Sequence, residues 1–159
     1  MQGSSREAYY LLVGKIVKNY AALEVLVCSA IWQIAEIPDN VGACLTSNIY
    51  SLEAKIKALQ AILRVKGDFE STARELATFY DGIRGLSEFR NRIVHDATSE
   101  KDGVMGRLEI TANKKLKMEF VPEDLISMNT KGNEIDDAFD KLKVILKPAI
   151  EAFPPLPLA

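Results

Sequence analysis

Residues Leu76–Phe120, LATFYDGIRGLSEFRNRIVHDATSEKDGVMGRLEITANKKLKMEF, hold the change of period that decides the fold. In the first half, Leu76, Phe79, Tyr80, Ile83, Leu86 and Ile93 recur at three and four, the spacing that lines one face of an α-helix. After His95 the spacing drops to two. Leu108, Ile110 and Ala112, then Leu116, Met118 and Phe120, alternate with Arg107, Glu109, Thr111, Lys115, Lys117 and Glu119. Alternation on both sides of Asn113 and Lys114 predicts a β-hairpin over about residues 104–121 with one apolar face, stopped by Pro122.

Upstream, Leu12, Ile16, Leu23, Val27, Ala30, Ile31 and Ile34 give a long first helix from about Ser5 to Ile37, ended by Pro38 and Asn40. A second helix follows Thr46, Ser47 and Asn48, with Ile49, Leu52, Ile56, Leu59 and Leu63 on one face and Gly67 where a residue of positive φ ends a helix. Ser71 is placed to cap the third helix, and Glu75 falls near the favourable end of its dipole. Gly82 and Gly85 lie off its apolar line, which suggests a kink or a small-residue contact with another helix. The last helix is expected over about 133–153, capped by Asn133, with acids early, lysines late and Pro148 kinking or ending it. The fold class expected is all-α: an antiparallel helical bundle with a β-hairpin inserted before the C-terminal helix, one domain over residues 1–159.

Composition narrows the function classes. With 20 Lys+Arg against 22 Asp+Glu the net charge is −2, so there is no broad basic field and any phosphate contact is local. Cys28 and Cys44 are too few for a disulfide framework, and a reduced cytoplasmic setting is the expectation. Met1–Glu7 opens no signal peptide, and the apolar run Ala21–Ala35, which carries Glu24, is shorter than the ~18 residues of a membrane span. No cofactor loop or metal-ligand cluster is apparent, and the single histidine, His95, excludes a multi-histidine metal site within one chain.

The sharpest feature is Arg90-Asn91-Arg92-Ile93-Val94-His95, which closes the third helix. With Leu76 at zero, Phe79, Tyr80, Ile83, Leu86 and Val94 gather around roughly 340° and Arg90 falls at about 320°. A guanidinium aimed at a packed face requires a carboxylate, an anionic ligand or a water-filled cleft. Asn91 and His95 border the same face, with Arg84 and Glu88 nearby. A purely structural arrangement is equally consistent with this spacing: Arg90 pairs with Glu24 or Glu88, and His95 caps the helix C-terminus.

Arg-Asn-x-x-x-His at the end of a helix resembles the signature of the HEPN superfamily, small all-α domains of prokaryotic toxins, CRISPR effectors and RNA-processing factors. The helices before it, NYAALEVLVCSAIWQIAEI and SNIYSLEAKIKALQAIL, are similar to those preceding the motif in bacterial members, so the likeness covers roughly Leu12–Thr98. It implies a metal-independent endoribonuclease acting as a homodimer, a toxin or phage-defence effector with an antitoxin or regulatory partner and no membrane association. Arg90, Asn91 and His95 would be the catalytic set, Arg84 and Arg92 would grip substrate phosphates, and Glu24 would support Arg90. The alternative is a HEPN-like module that binds nucleotide or RNA, or dimerises, without cutting. Ala97 stands where one toxin subgroup has a modifiable Tyr, so silencing by that route is not expected.

Other features have simpler readings. Cys28 reads as a buried small hydrophobe, and Trp32, Tyr9, Tyr10 and Tyr20 as core or dimer contacts. Lys114, Lys115 and Lys117 read as a solvated turn, and Phe153-Pro154-Pro155-Leu156-Pro157 as a helix stop with a loose terminus.

Overall fold

A computed structural model describes residues 5–113 and 115–155. The elements run α1 (Ser5–Ala35), α2 (Asp39–Thr46), α3 (Leu52–Lys66), α4 (Glu70–His95), β1 (Ala97–Lys101), β2 (Val104–Asn113), β3 (Lys115–Pro122) and α5 (Leu125–Ala152). Helices thus dominate, and a small antiparallel sheet is inserted before the last one, as the change of period required. Contacts cluster into two compact units. One comprises Met1–Tyr20 and Gly85–Asp136, the other Ala21–Arg84 and Asp137–Ala159.

The first unit contains the sheet, whose order is β1-β2-β3. Leu108 pairs with Phe120 and Ile110 with Met118, so these expected apolar residues do share one face, and the register continues to Ala112↔Leu116. The predicted hairpin is β2 and β3; the strand added to it is β1, in register from Ala97↔Leu108 to Lys101↔Val104. Its turn is Asp102-Gly103, with φ of 53° and 76°, the backbone of a two-residue type I′ hairpin loop. Gly106 is obligatory for another reason: a Cβ there would lie 2.4 Å from the Val121 carbonyl oxygen and 2.7 Å from the Phe120 ring. Tyr9, Ile16, Tyr20, Leu86, Met105 and Met128 form the buried interior of this unit. Leu86 and Ile93 are buried on α4, whereas Val94, grouped with the packed residues by helical angle, is exposed.

In the same unit α5 begins at Leu125, eight residues before the expected start. Asp124 holds that end, its Oδ2 accepting from the Ser127 amide at 2.8 Å. Asn133 is therefore mid-helix rather than a cap, and its Oδ1 accepts from Lys15 Nζ at 2.7 Å.

The second unit is a helical bundle around Leu23, Val27, Ile34, Leu59, Leu76 and Leu142. Ser51 caps α3, accepting from the Ala54 amide at 3.1 Å, and Gly67 closes it at φ 74°. Between α1 and α3 lies α2, a short helix that the period of apolar residues did not reveal. Its anchor is steric and polar together. A Cβ on Gly42 would stand 2.4 Å from the Trp32 ring, and Trp32 Nε1 donates to Thr46 Oγ1 at 3.1 Å. Helix α4 starts at Glu70, so Ser71 lies inside it, and α5 continues through Pro148 to Ala152. Gly82 and Gly85 meet nothing within 4 Å of an added Cβ, which corrects the expected small-residue contact.

Candidate functional site

Arg90, Asn91, Arg92 and His95 all belong to the first unit, on the final turns of α4. The guanidinium of Arg90 lies 5.2 Å over the ring of Tyr20, and its Nη1 donates to Asn91 Oδ1 at 2.9 Å. Tyr20 is itself fixed, its hydroxyl donating to Ser87 Oγ at 2.7 Å in the interior. Arg90 Nε is buried without a hydrogen-bond partner, and no carboxylate among the described residues lies within ion-pair distance of this guanidinium. Asn91 and His95 are exposed. The helical angles therefore aimed Arg90 correctly, but an aromatic face and an amide receive it, not an anion.

Glu24 belongs to the second unit and is not the counter-ion of Arg90. Its Oε2 is taken by Lys55 Nζ at 2.9 Å, the two side chains being 23% and 11% exposed. Arg84 is also in the second unit. It lines a recess of about 340 Å³ between α3 and α4 with Glu53, Lys57, Gln60, Tyr80 and Asp81. There Lys57 draws the Glu53 carboxyl below its ordinary pKa by hydrogen bonding, and is itself raised by Glu53. Arg92 is engaged as well, its Nη1 on Glu109 Oε1 at 2.5 Å.

One cluster escaped the sequence reading. Arg107, on the charged face of β2, donates through Nε to Glu123 (2.7 Å) and through Nη1 to Asp96 (2.9 Å) and Glu109 (3.2 Å). Burial opposes its charge, but the hydrogen bonds it donates to Glu123 and Asp96 prevail and its pKa is raised. Arg92 and then Arg107 hold the Glu109 carboxyl below the ordinary range. Asp96 directly follows His95, and its amide donates to the Arg92 carbonyl at 2.8 Å. Arg107 thereby clamps the chain where α4 ends and β1 begins, which fixes the backbone carrying His95. The only sequence signal for this hub was Arg107 and Glu109 occurring two apart on one strand face.

Among the described residues no three His, Cys, Asp or Glu side chains converge as a metal site, and no helix is long and apolar enough to cross a membrane. Lys117 pairs with Glu119, while Lys114, Leu156 and Pro157, like Met1, lie outside the described residues. No protein-family model, curated protein or solved structure matches this chain.

Proposed function

We propose that the chain is a metal-independent endoribonuclease of HEPN type, working as a homodimer through Arg90, Asn91 and His95. One observation carries this: Arg90 is half-buried, is oriented by Tyr20 and Asn91, and has no anionic partner among the described residues. A half-buried cation without a counter-ion favours an anionic ligand, and a phosphodiester supplies one. Exposed His95 lies five residues along the same helix, and imidazole both accepts and gives protons near neutral pH. Attack of a ribose 2′-OH on its own phosphate needs a base for that hydroxyl and an acid for the departing 5′-oxygen. Each chain has one histidine, so a two-fold pair of chains is the arrangement that provides both. Arg90 would balance the charge growing on the phosphoryl oxygens. Arg84 and Arg92 are not assigned to the substrate, since Arg84 lines a recess of the second unit and Arg92 is held by Glu109.

The test is cleavage of a fluorescent RNA in EDTA. The expected product ends in a 2′,3′-cyclic phosphate or its 3′-phosphate, and a 2′-deoxy residue at the scissile position blocks it. His95→Ala should slow cleavage at least ~10²-fold while RNA binding persists, because acid–base help is realised in the transition state. Activity that survives in His95→Ala, or that requires a divalent metal, overturns the mechanism. The unpartnered charge of Arg90 equally favours a second reading, a nucleotide- or RNA-binding module that does not cut. That reading predicts binding lost in Arg90→Ala with no cleavage by any variant.

A further inference from the structure

The outer edge of the sheet is an open strand. Strand β3 pairs with β2 on one side only, and Leu116, Lys117, Met118 and Glu119 are all exposed. Its apolar residues are unusually bare for a sheet face, with Leu116 71%, Met118 58% and the neighbouring Ile110 55% exposed. A strand that presents free amides, free carbonyls and an apolar face is a template for another strand.

Charge selects which strand fits. On the polar face Glu119 sits directly opposite Glu109, a like-charge cross-strand pair. Glu109 is answered by Arg92 and Arg107, whereas the cation beside Glu119 is Lys117 of its own strand. A second lysine arriving from the open side would relieve that pairing. An antiparallel copy of β3 centred on Met118 delivers one to each Glu119 without setting like charges opposite one another. When Met118 faces Met118 of the second copy, each Lys117 faces the other chain's Glu119, and each Leu116 faces the other's Phe120. Shifting the axis to residue 117 or 119 sets lysine against lysine or glutamate against glutamate. Any half-step slip puts charged side chains on the apolar face, because alternate residues point to opposite sides.

We infer that β3 is a self-association edge, joining two copies of this chain antiparallel about Met118 into a six-stranded sheet with a continuous apolar face. The inference does not rest on the ribonuclease reading. In this sheet five strand spacings separate Ala97 from its counterpart, about 24 Å. The β3 edge is thus a surface distinct from any cleft shared by two copies of His95. The paired segment is short, so association should be weak and concentration-dependent.

Charge reversal and cross-linking on the full chain test this. In sedimentation velocity over a concentration series, Lys117→Glu should weaken dimerisation about tenfold. The double variant Lys117→Glu/Glu119→Lys, which restores opposite charges in the same register, should return to within about threefold of wild type. In a Cys44→Ser background, Met118→Cys should form a covalent dimer on mild oxidation, since facing residues of antiparallel strands lie within disulfide reach. Thr111→Cys, on the inner strand β2, should not. A chain that stays monomeric, a dimer indifferent to both charge variants, or equal cross-linking at 111 and 118 would each overturn the β3 edge. A dimer indifferent to these changes would leave the His95 pairing intact, so failure of one is not failure of the other.

Discussion

The guanidinium of Arg90 rests 5.2 Å above the ring of Tyr20, and the Tyr20 hydroxyl is in turn anchored on Ser87. An aromatic face therefore stands where a carboxylate was expected, and it orients the cation without neutralising it. Two variants separate the layers of this arrangement. Tyr20→Phe keeps the ring and removes the Ser87 hydrogen bond, which should cost about 1 kcal/mol in urea unfolding. Tyr20→Leu removes both and empties part of the core, so it should cost ~3 kcal/mol and weaken anion binding at Arg90. Equal midpoints for the two variants would show that the ring contributes nothing.

The Glu24–Lys55 pair of the second unit is mostly withdrawn from solvent. Glu24→Ala should destabilise the chain by ~2–3 kcal/mol, because it leaves the Lys55 ammonium partly buried and alone. Glu24→Leu/Lys55→Met together should cost clearly less than the sum of the single changes, as contacting residues couple. Additive losses in chemical denaturation would argue against the pair.

The glycines of the chain should divide by sign. Gly82→Ala and Gly85→Ala enter open space on a helix, so each should stabilise by roughly 0.5–1 kcal/mol through helix propensity and a less flexible unfolded state. Gly42→Ala and Gly106→Ala should destabilise, since their Cβ atoms meet the Trp32 ring and the Val121 carbonyl oxygen. Thermal midpoints of the four variants check the division.

Tyr9 gives the chain an alkaline limb. Burial raises its pKa above the ordinary value of 10.0, although a hydrogen bond with Thr98 pulls the other way. Above that ordinary value the unfolded chain loses the phenolic proton while the folded one keeps it. The contribution to stability is thus complete below pH 10 and fades as pH rises through the raised value. Tyr9→Phe should flatten the decline above pH 10 in denaturant titrations. An unchanged slope would place the limb elsewhere.

Much of this architecture was legible in the period of the apolar residues. The spacing of three and four located α1, α3 and α4, and alternation located β2 and β3. What escaped is instructive. Strand β1 has no apolar alternation, and its real signal was the Asp102-Gly103 dipeptide, whose positive φ angles suit a tight hairpin. Pro38 read as a stop, yet it also stands immediately before α2, a short helix held by the contact of Gly42 with Trp32. The start of α5 was misplaced because Asn133 has the chemistry of a cap, and only the folded chain shows that Asp124 caps the helix while Lys15 engages Asn133. At the candidate site the helical angle told that Arg90 turns inward, but not what it meets. Glu24 was a reasonable partner by chemistry, and Lys55, on another helix, took it first.

Neither compact unit is a continuous piece of chain, and that has a consequence during synthesis. The first unit is incomplete until Asp136 has emerged, and the second draws on α1, α3 and α4 yet still needs Asp137 onward. Leu142, Leu146 and Ala149, all inaccessible in the folded chain, leave the ribosome after all the earlier helices. Until then the apolar stripes of the earlier helices have no final partner. A nascent chain lacking α5 should therefore be protease-sensitive and bind chaperones, with protection appearing late and in one step rather than growing from the N-terminus.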